Sequence, residues 1–546
     1  MLQSAAPVLF ESSGHHAVLQ DQANDDWVAL IHAIDGPCFD SLARRYYLAL
    51  HHFRSLRRRP ALPGQIEISA QGKQMALQGM LQAWEQRKAA QKHSKDGHTT
   101  DVFVETLPKP DDQDLPEALK DFARPPPPMG VILGGAGRPP EDALCLLRAF
   151  LAAPLLGVGD DPTSVYRLLH SNPALAHLCG FLGGEVVKQP GELTSRRLPS
   201  LSVCEEFTEI MTRYGLWHHA RQEQVRSNLT SGVVKTEDTV SFDTTHIEAH
   251  SHCGNVIPAD AKVDKDDKPK HRKIPRMRKR CDCLQEHWDT CEHPWVPTDQ
   301  GAAVVVKGPT RIYWAHKASV ATFGDSEIPF DVRVCQYAAM SDGKTLAPHL
   351  ELLERDLPEV VNGLRYILAD DAYRDNHKAV ERFGKQARLL VPVHGRKSRA
   401  ALADTFDGIN RFTPTGVPVC DGEHRFELRG RDLIGENFIW VAPDDDQGQP
   451  VCAGCPISEN CLTKGQRRHI RVNRADQLQI DWDHPQHFAK ERLRYAERTG
   501  VERSIKRLKV DLRGEHLTHR DSHRVQAHLD RKLLILHLLL AIAASP

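Results

Sequence analysis

"LRYILADDAY", residues 364–373, is a nearly continuous apolar run closed by two aspartates. The run does not alternate apolar with polar residues, which predicts a central β-strand buried on both faces. Upstream of it, KTLAPHLELLERDL (344–357) repeats its apolar residues at helical spacing. DVRVCQYAAM (331–340) reads as a strand, and AAVVVKGPTRIYWAHKASVAT (302–322) as two strands around a Gly-Pro turn. Farther back, TVSFDTTH (239–246) alternates, with Val240 and Phe242 on one face and Ser241, Asp243 and Thr245 on the other, as in a half-buried strand. Strand, hairpin strands, helix and strand in that order predict an α/β fold whose mixed sheet carries helices.

This order gives the acids a geometry. Asp243 lies within the first strand and Asp370 at the end of a strand able to lie beside it, so the two can project from one sheet edge. Two such anions repel in a low dielectric unless they are protonated or bridged by cations. Hard divalent ions such as Mg²⁺ accept carboxylate oxygens and keep waters, leaving room for a phosphate. A third carboxylate from a helix would complete a two-metal site for phosphoryl transfer.

YAERTGVERSIKRLK (495–509) can supply it. At about 100° per residue, Tyr495, Arg498, Glu502 and Lys509 fall within an arc of roughly 60°. Such a face suits a metal beside a DNA backbone: Glu502 takes the metal, while Tyr495, Arg498 and Lys509, with Arg503 and Lys506 nearby, meet phosphates. The blander reading is an exposed Arg498–Glu502 pair one turn apart, worth a few tenths of a kcal/mol. Gly500 weakens the helix by about 1 kcal/mol relative to alanine.

Tyr495, Arg498, Glu502 and Lys509 in this spacing resemble the Y-R-E-K signature of insertion-sequence DDE transposases of the IS4-like type, whose catalytic core is RNase H-like. Asp243-Thr244-Thr245 is similar to that family's D-x-T strand motif, and Ala369-Asp370-Asp371-Ala372-Tyr373 to its A-D-x-G-Y motif, with alanine at the glycine position. The resemblance covers roughly residues 138–535 and implies an RNase H-like mixed sheet flanked by helices, a helical N-terminal domain and a strand-containing insertion before the last catalytic helix. It implies Asp243, Asp370 and Glu502 as catalytic ligands of two Mg²⁺ ions, for which Mn²⁺ substitutes. The reaction implied is cleavage at the ends of an insertion sequence followed by strand transfer into target DNA. The partners implied are double-stranded DNA, as inverted-repeat ends and target, and a second copy in a homodimeric synaptic complex. The alternative is an inactive or repurposed transposase that acts as a DNA-binding regulator.

The domain boundaries expected are a variable region with linkers at 1–137, a helical domain at 138–235, the catalytic core at 236–375 and 485–546, and an insertion at 376–484. The first region reads as polar and irregular, and GRPPEDALCLLRAFLAAPLLG (137–157) as a helix with prolines in its first turn. The helical domain suits either DNA binding through a helix-turn-helix or plain packing. The 71 basic and 72 acidic residues nearly cancel, so DNA attraction must come from local patches. One such patch is residues 262–280 and another 490–532. With no basic segment leading into an apolar run at the N-terminus, and only a short apolar stretch at 533–544, a soluble, cytoplasmic and nucleoid-associated bacterial protein with no membrane partner is expected.

Thirteen cysteines in such a compartment are thiols or metal ligands rather than a disulfide framework. Two clusters offer structural Zn²⁺ sites. One is Cys281, Cys283, Cys291 and His293. The other is Cys452, Cys455 and Cys461, with His469 as fourth ligand.

Overall fold

The computed structural model describes residues 27–34, 37–58, 102–104, 115–128, 132, 142–181, 198–249, 299, 301–307, 311–391, 409–413, 415–462, 467–477, 480, 482, 484–515 and 517–544. The sheet is built around β1 (Thr239–Glu248). On one side β1 runs antiparallel to β3 (Arg311–Phe323), with Asp243 opposite Val320; on the other it runs parallel to β5 (Tyr366–Leu368), with Ser241 opposite Leu368. β2 (Ala303–Lys307) and β4 (Pro329–Val334) share the far edge of β3, and β6 (Arg388–Leu390) extends the sheet parallel to β5. The result is a six-stranded mixed sheet in an α/β fold.

β1 does not alternate as its sequence suggests. Val240 and Phe242 are buried, and so is Ser241, because apolar cores lie on both faces of the sheet. Val240 and Phe242 join one core and Ile247 the other. The half-exposed character begins at Asp243.

Helices α1 (Pro37–Arg58), α2 (Ala143–Leu155), α3 (Pro162–Ser171), α4 (Leu201–Arg213) and α5 (Leu216–Thr230) build the larger core with the terminal helix. Within a stretch expected to be polar and irregular, α1 buries Leu42, Tyr46, Tyr47, Leu50 and Phe53, so its tyrosines and phenylalanine outweigh the flanking His and Arg residues. Pro139 and Pro140, expected in the first turn, lie outside the described residues; Asp142 caps the helix by accepting from the Leu144 N–H at 2.9 Å. Between α4 and α5 the backbone turns through Gly215 at φ +64°, a conformation glycine adopts without a Cβ penalty. α5 is buried along most of its length, which leaves it no open recognition face of the helix-turn-helix kind.

Buried charge fastens these layers. Asp331 on β4 accepts from Arg333 at 2.7 Å and from His349 of α6 (Leu346–Asp356) at 2.9 Å, and pairs with Arg221 of α5. Arg221 also reaches Asp530 at 2.8 Å on α9 (Ser522–Ala544), and Arg333 reaches Asp356 at 2.6 Å. Burial alone would push the Asp331 carboxyl up, but Arg221, Arg333 and His349 outweigh it and hold it well below the usual carboxylate range. A second knot joins Asp160 to His528, Arg531 and Lys532 of α9 at 3.1, 2.9 and 3.3 Å.

Residues 409–482 carry a β7–β8 hairpin (Ile409–Phe412, Pro418–Cys420) and a sheet of β9 (Glu427–Asp432), β10 (Asn437–Val441) and β11 (His469–Asn473). They close over their own small core around Trp440 and Phe438. This matches the strands expected in the insertion.

Removing one member of the Asp331 knot leaves its partners' charge buried and unpaired. Asp331→Ala should therefore cost roughly 3–5 kcal/mol, read as a lowered urea midpoint. An unchanged midpoint would show that the knot does not hold the layers together.

Candidate active site

The pairing of β1 with β5 sets the first two acids. Asp243 follows Ser241 by two residues and Asp370 follows Leu368 by two, so both lie one side-chain period beyond the same rung of a parallel pair. Asp370 caps the turn after β5, accepting from the Ala372 N–H at 2.9 Å. Its neighbour Asp371 is instead ion-paired with Arg374.

Burial pushes the Asp243 carboxyl up to about 6; the Thr244 N–H, at 2.8 Å, and Arg498 pull it down, while Asp370 and Asp342 push it further up. Burial raises Asp370 as well, and Asp342 adds to the rise while Arg498 opposes it. These are like charges crowded at the mouth of the sheet, as the sequence leads one to expect.

The helix carrying the third acid is not continuous. It divides into α7 (Ala489–Ala496), α8 (Thr499–Lys506) and a π-turn (Arg507–Asp511), so Tyr495, Arg498, Glu502 and Lys509 do not share one straight face. Each piece has its own anchor. On α7 the Tyr495 hydroxyl donates to the Ala369 carbonyl at 3.2 Å, and the Arg494 guanidinium lies 4.1 Å from the centre of the Tyr366 ring. α8 docks on the β3–β4 turn at Glu327. The Ser504 hydroxyl donates to the Glu327 carbonyl at 2.7 Å, Arg503 pairs with its carboxylate, and a Cβ at Gly500 would stand 2.8 Å from its Cγ. Gly500 thus permits a close approach. Lys509, on the π-turn, donates to the His246 carbonyl at 3.0 Å and pairs with Glu515.

Arg498 is the common neighbour of the acids. It donates to Glu502 at 2.7 Å, and its charge draws on the carboxyls of both Asp243 and Asp370. The predicted surface pair therefore forms, but its arginine also faces the two aspartates. The Tyr495 phenol belongs to the same cluster: burial pushes it up to about 12, against the pull of Arg498 and with the push of Asp370. Lys506 is exposed on α8. The three acids do not bring their oxygens within 4.8 Å of one another; among the described residues the His/Cys/Asp/Glu set that does is Asp160, His519 and His528. That set sits beside Arg531 and Lys532, whose charges already balance Asp160.

Two residues at the site escape the sequence reading. Asp342, in the turn before α6, accepts from the Thr244 hydroxyl at 2.6 Å and from Lys317 of β3 at 2.8 Å. It is the nearby anion that pushes up both aspartates. The one signal in the sequence is Lys317 itself, a lysine within the mostly apolar run Ile312–Phe323, paired across the sheet with His246.

Of the cysteines, Cys452 packs against the core of 409–482 and Cys461 ends a short helix, while His469 points outward from β11. Cys281, Cys283, Cys291 and His293, and the basic stretch 262–280, lie outside the described residues.

Residues 448–536 match the family described as Transposase DDE domain. The match takes in the cysteines at 452–461, Tyr495, Arg498, Glu502 and Lys509, and ends within α9; Asp243 and Asp370 precede it. No curated protein matches the chain. The match supports a transposase acting on DNA, and families of this kind use divalent metal ions. No helix among the described residues is long and apolar enough to cross a membrane.

The raised Asp243 carboxyl sets a pH dependence. Its pKa in the fold, about 6, exceeds its ordinary 3.8, so its contribution to stability is full below about pH 4 and is lost as the pH rises through about 6. In chelator, Asp243→Asn should flatten the loss of stability between about pH 4 and pH 7 and raise the neutral-pH stability by on the order of 1 kcal/mol. A variant whose urea midpoint tracks the parent at every pH would contradict this electrostatic account.

Proposed function

We propose that the chain is a DDE transposase in which Asp243, Asp370 and Glu502 hold Mg²⁺ and act on DNA phosphodiesters. The observation that carries this reading is Arg498, which pairs with Glu502 and whose charge lowers the carboxyls of both Asp243 and Asp370. A cation stands where an excess of negative charge converges. The fold supports the reading too. The mixed sheet around β1, with antiparallel β2, β3 and β4 on one side and parallel β5 and β6 on the other, is compatible with an RNase H-like core.

The donor set fits a hard divalent ion. It is all oxygen, anionic and open to solvent at Glu502, and it includes an aspartate whose proton is easily lost near neutrality. When bound, Mg²⁺ supplies Lewis-acid charge that lowers the pKa of an attacking water or 3′-hydroxyl and steadies the phosphoryl oxygens. The side chains do the rest. Tyr495 and Arg498 position the scissile phosphate over the aspartates, and Asp342, steadied by Lys317, fixes β1 through Thr244. Lys506, Arg503 and Lys509 track the backbone. Arg503 exchanges its pair with Glu327 for phosphate at little cost, because such surface pairs are worth about 0–1 kcal/mol, and the half-buried Lys509 turns from Glu515 to phosphate. The substrates are the ends of the element and a target duplex, brought together by two copies of the chain.

The test is cleavage of a duplex carrying the sequences that flank the gene, in Mg²⁺. Asp243→Asn, Asp370→Asn and Glu502→Gln should each lower cutting by at least about 10²-fold, about 2.7 kcal/mol of transition-state stabilisation, while duplex binding in a mobility shift stays near the parental level. A variant that still cuts removes its residue from the site. Binding without cutting by the parent protein would point instead to a DNA-binding regulator.

A further inference from the structure

The hairpin and the sheet of the insertion meet through sulfur. Cys420 ends β8 and opens the turn Cys420-Asp421-Gly422-Glu423, closed by the Glu423 N–H donating to the Cys420 carbonyl at 2.9 Å. A Cβ on Gly422 would lie 2.9 Å from the Cys455 sulfur and 3.7 Å from the Cys420 sulfur. The two sulfurs therefore flank one glycine, although they come from segments far apart in sequence. Cys461 ends the short helix Ser458–Cys461, which follows Cys455 in the same segment. Cys452, two residues before Cys455 in a C-x2-C pair, packs against the same small core. All four are free thiols.

We propose that Cys420, Cys452, Cys455 and Cys461 are the four ligands of a structural zinc ion that joins the β7–β8 hairpin to the loop before β11. The spacing of the Cys452–Cys455 pair suits zinc, and four thiolates with no open position make a closed, structural centre. His469 is excluded by its strand: it alternates with buried Ile470 and lies on the outward face of β11. No three of the four sulfurs lie within 4.8 Å of one another, and a tetrahedral centre with Zn–S bonds of ~2.3 Å needs them closer than this; metal binding therefore draws the half-buried cysteines of 452–461 onto Cys420. A clip has a physical purpose here, because the core of 409–482 comprises ten buried side chains among the described residues, few for a β-unit that must hold its shape alone. The site stands independently of the catalytic reading.

The experiment uses full-length protein in a Cys281→Ser, Cys283→Ser background, so that the other cysteine cluster contributes no metal. After purification without chelator, about one zinc per chain is expected, retained in His469→Ala and lost in Cys420→Ser. Replacement by Co²⁺ should give the charge-transfer absorption of four thiolates, which reads the donor set even if Cys420→Ser folds poorly. A parent chain that stays metal-free when offered Zn²⁺, a Co²⁺ spectrum of three thiolates and an imidazole, or loss of metal in His469→Ala but not in Cys420→Ser would each overturn the proposal.

Discussion

Asp331 lies wholly buried among Arg221, Arg333 and His349, and the placement of the site follows from that one neutralised charge. Through its partners it binds β4 to α5, α6 and, by way of Asp530, to α9. α8 docks on the turn that leads into β4 and runs through the π-turn Arg507–Asp511 toward α9, so the position of Glu502 depends on where these layers settle. Ion pairs so deep gain little net stability over apolar packing, but they penalise any alternative packing that separates them. That is a reason for a buried charge knot at a junction between a helical layer and a sheet.

The acids behave in the opposite sense. Asp243 and Asp370 are crowded without enough positive charge and Arg498 compensates only in part, whereas Lys317 and Thr244 hold the Asp342 carboxyl below the usual range. A scaffold neutralised at its centre can hold an edge that is not. The strain stays local because Tyr495 and Thr244 tie the surrounding backbone and side chains in place.

Much of this was legible in the sequence because long apolar runs dominate it. The 364–373 run, the Gly-Pro hairpin and the order of the elements predict the sheet, and the period-2 spacing beyond β1 and β5 follows from pairing alone. What was hidden depends on contacts between distant residues. The break near Arg498 comes from Glu327, which lies far away in sequence and draws Gly500 and Ser504 onto a turn. Asp342 sits in a Ser-Asp-Gly-Lys turn like many surface turns, and only the fold brings it to Thr244. α1 was hidden by its charges, and Cys420 by its isolation: a single cysteine far from its partners has no spacing to read.

The stretch of chain between Asp370 and Glu502 also has a temporal meaning. About 130 residues separate Asp370 from Glu502, so a ribosome making roughly 5–20 residues per second finishes both aspartates on the order of 10 s before the glutamate. During that interval the sheet can form with two acids and no Arg498 beside them. The nascent chain therefore carries an incomplete acidic cluster, and the last carboxylate arrives together with the arginine that restrains it.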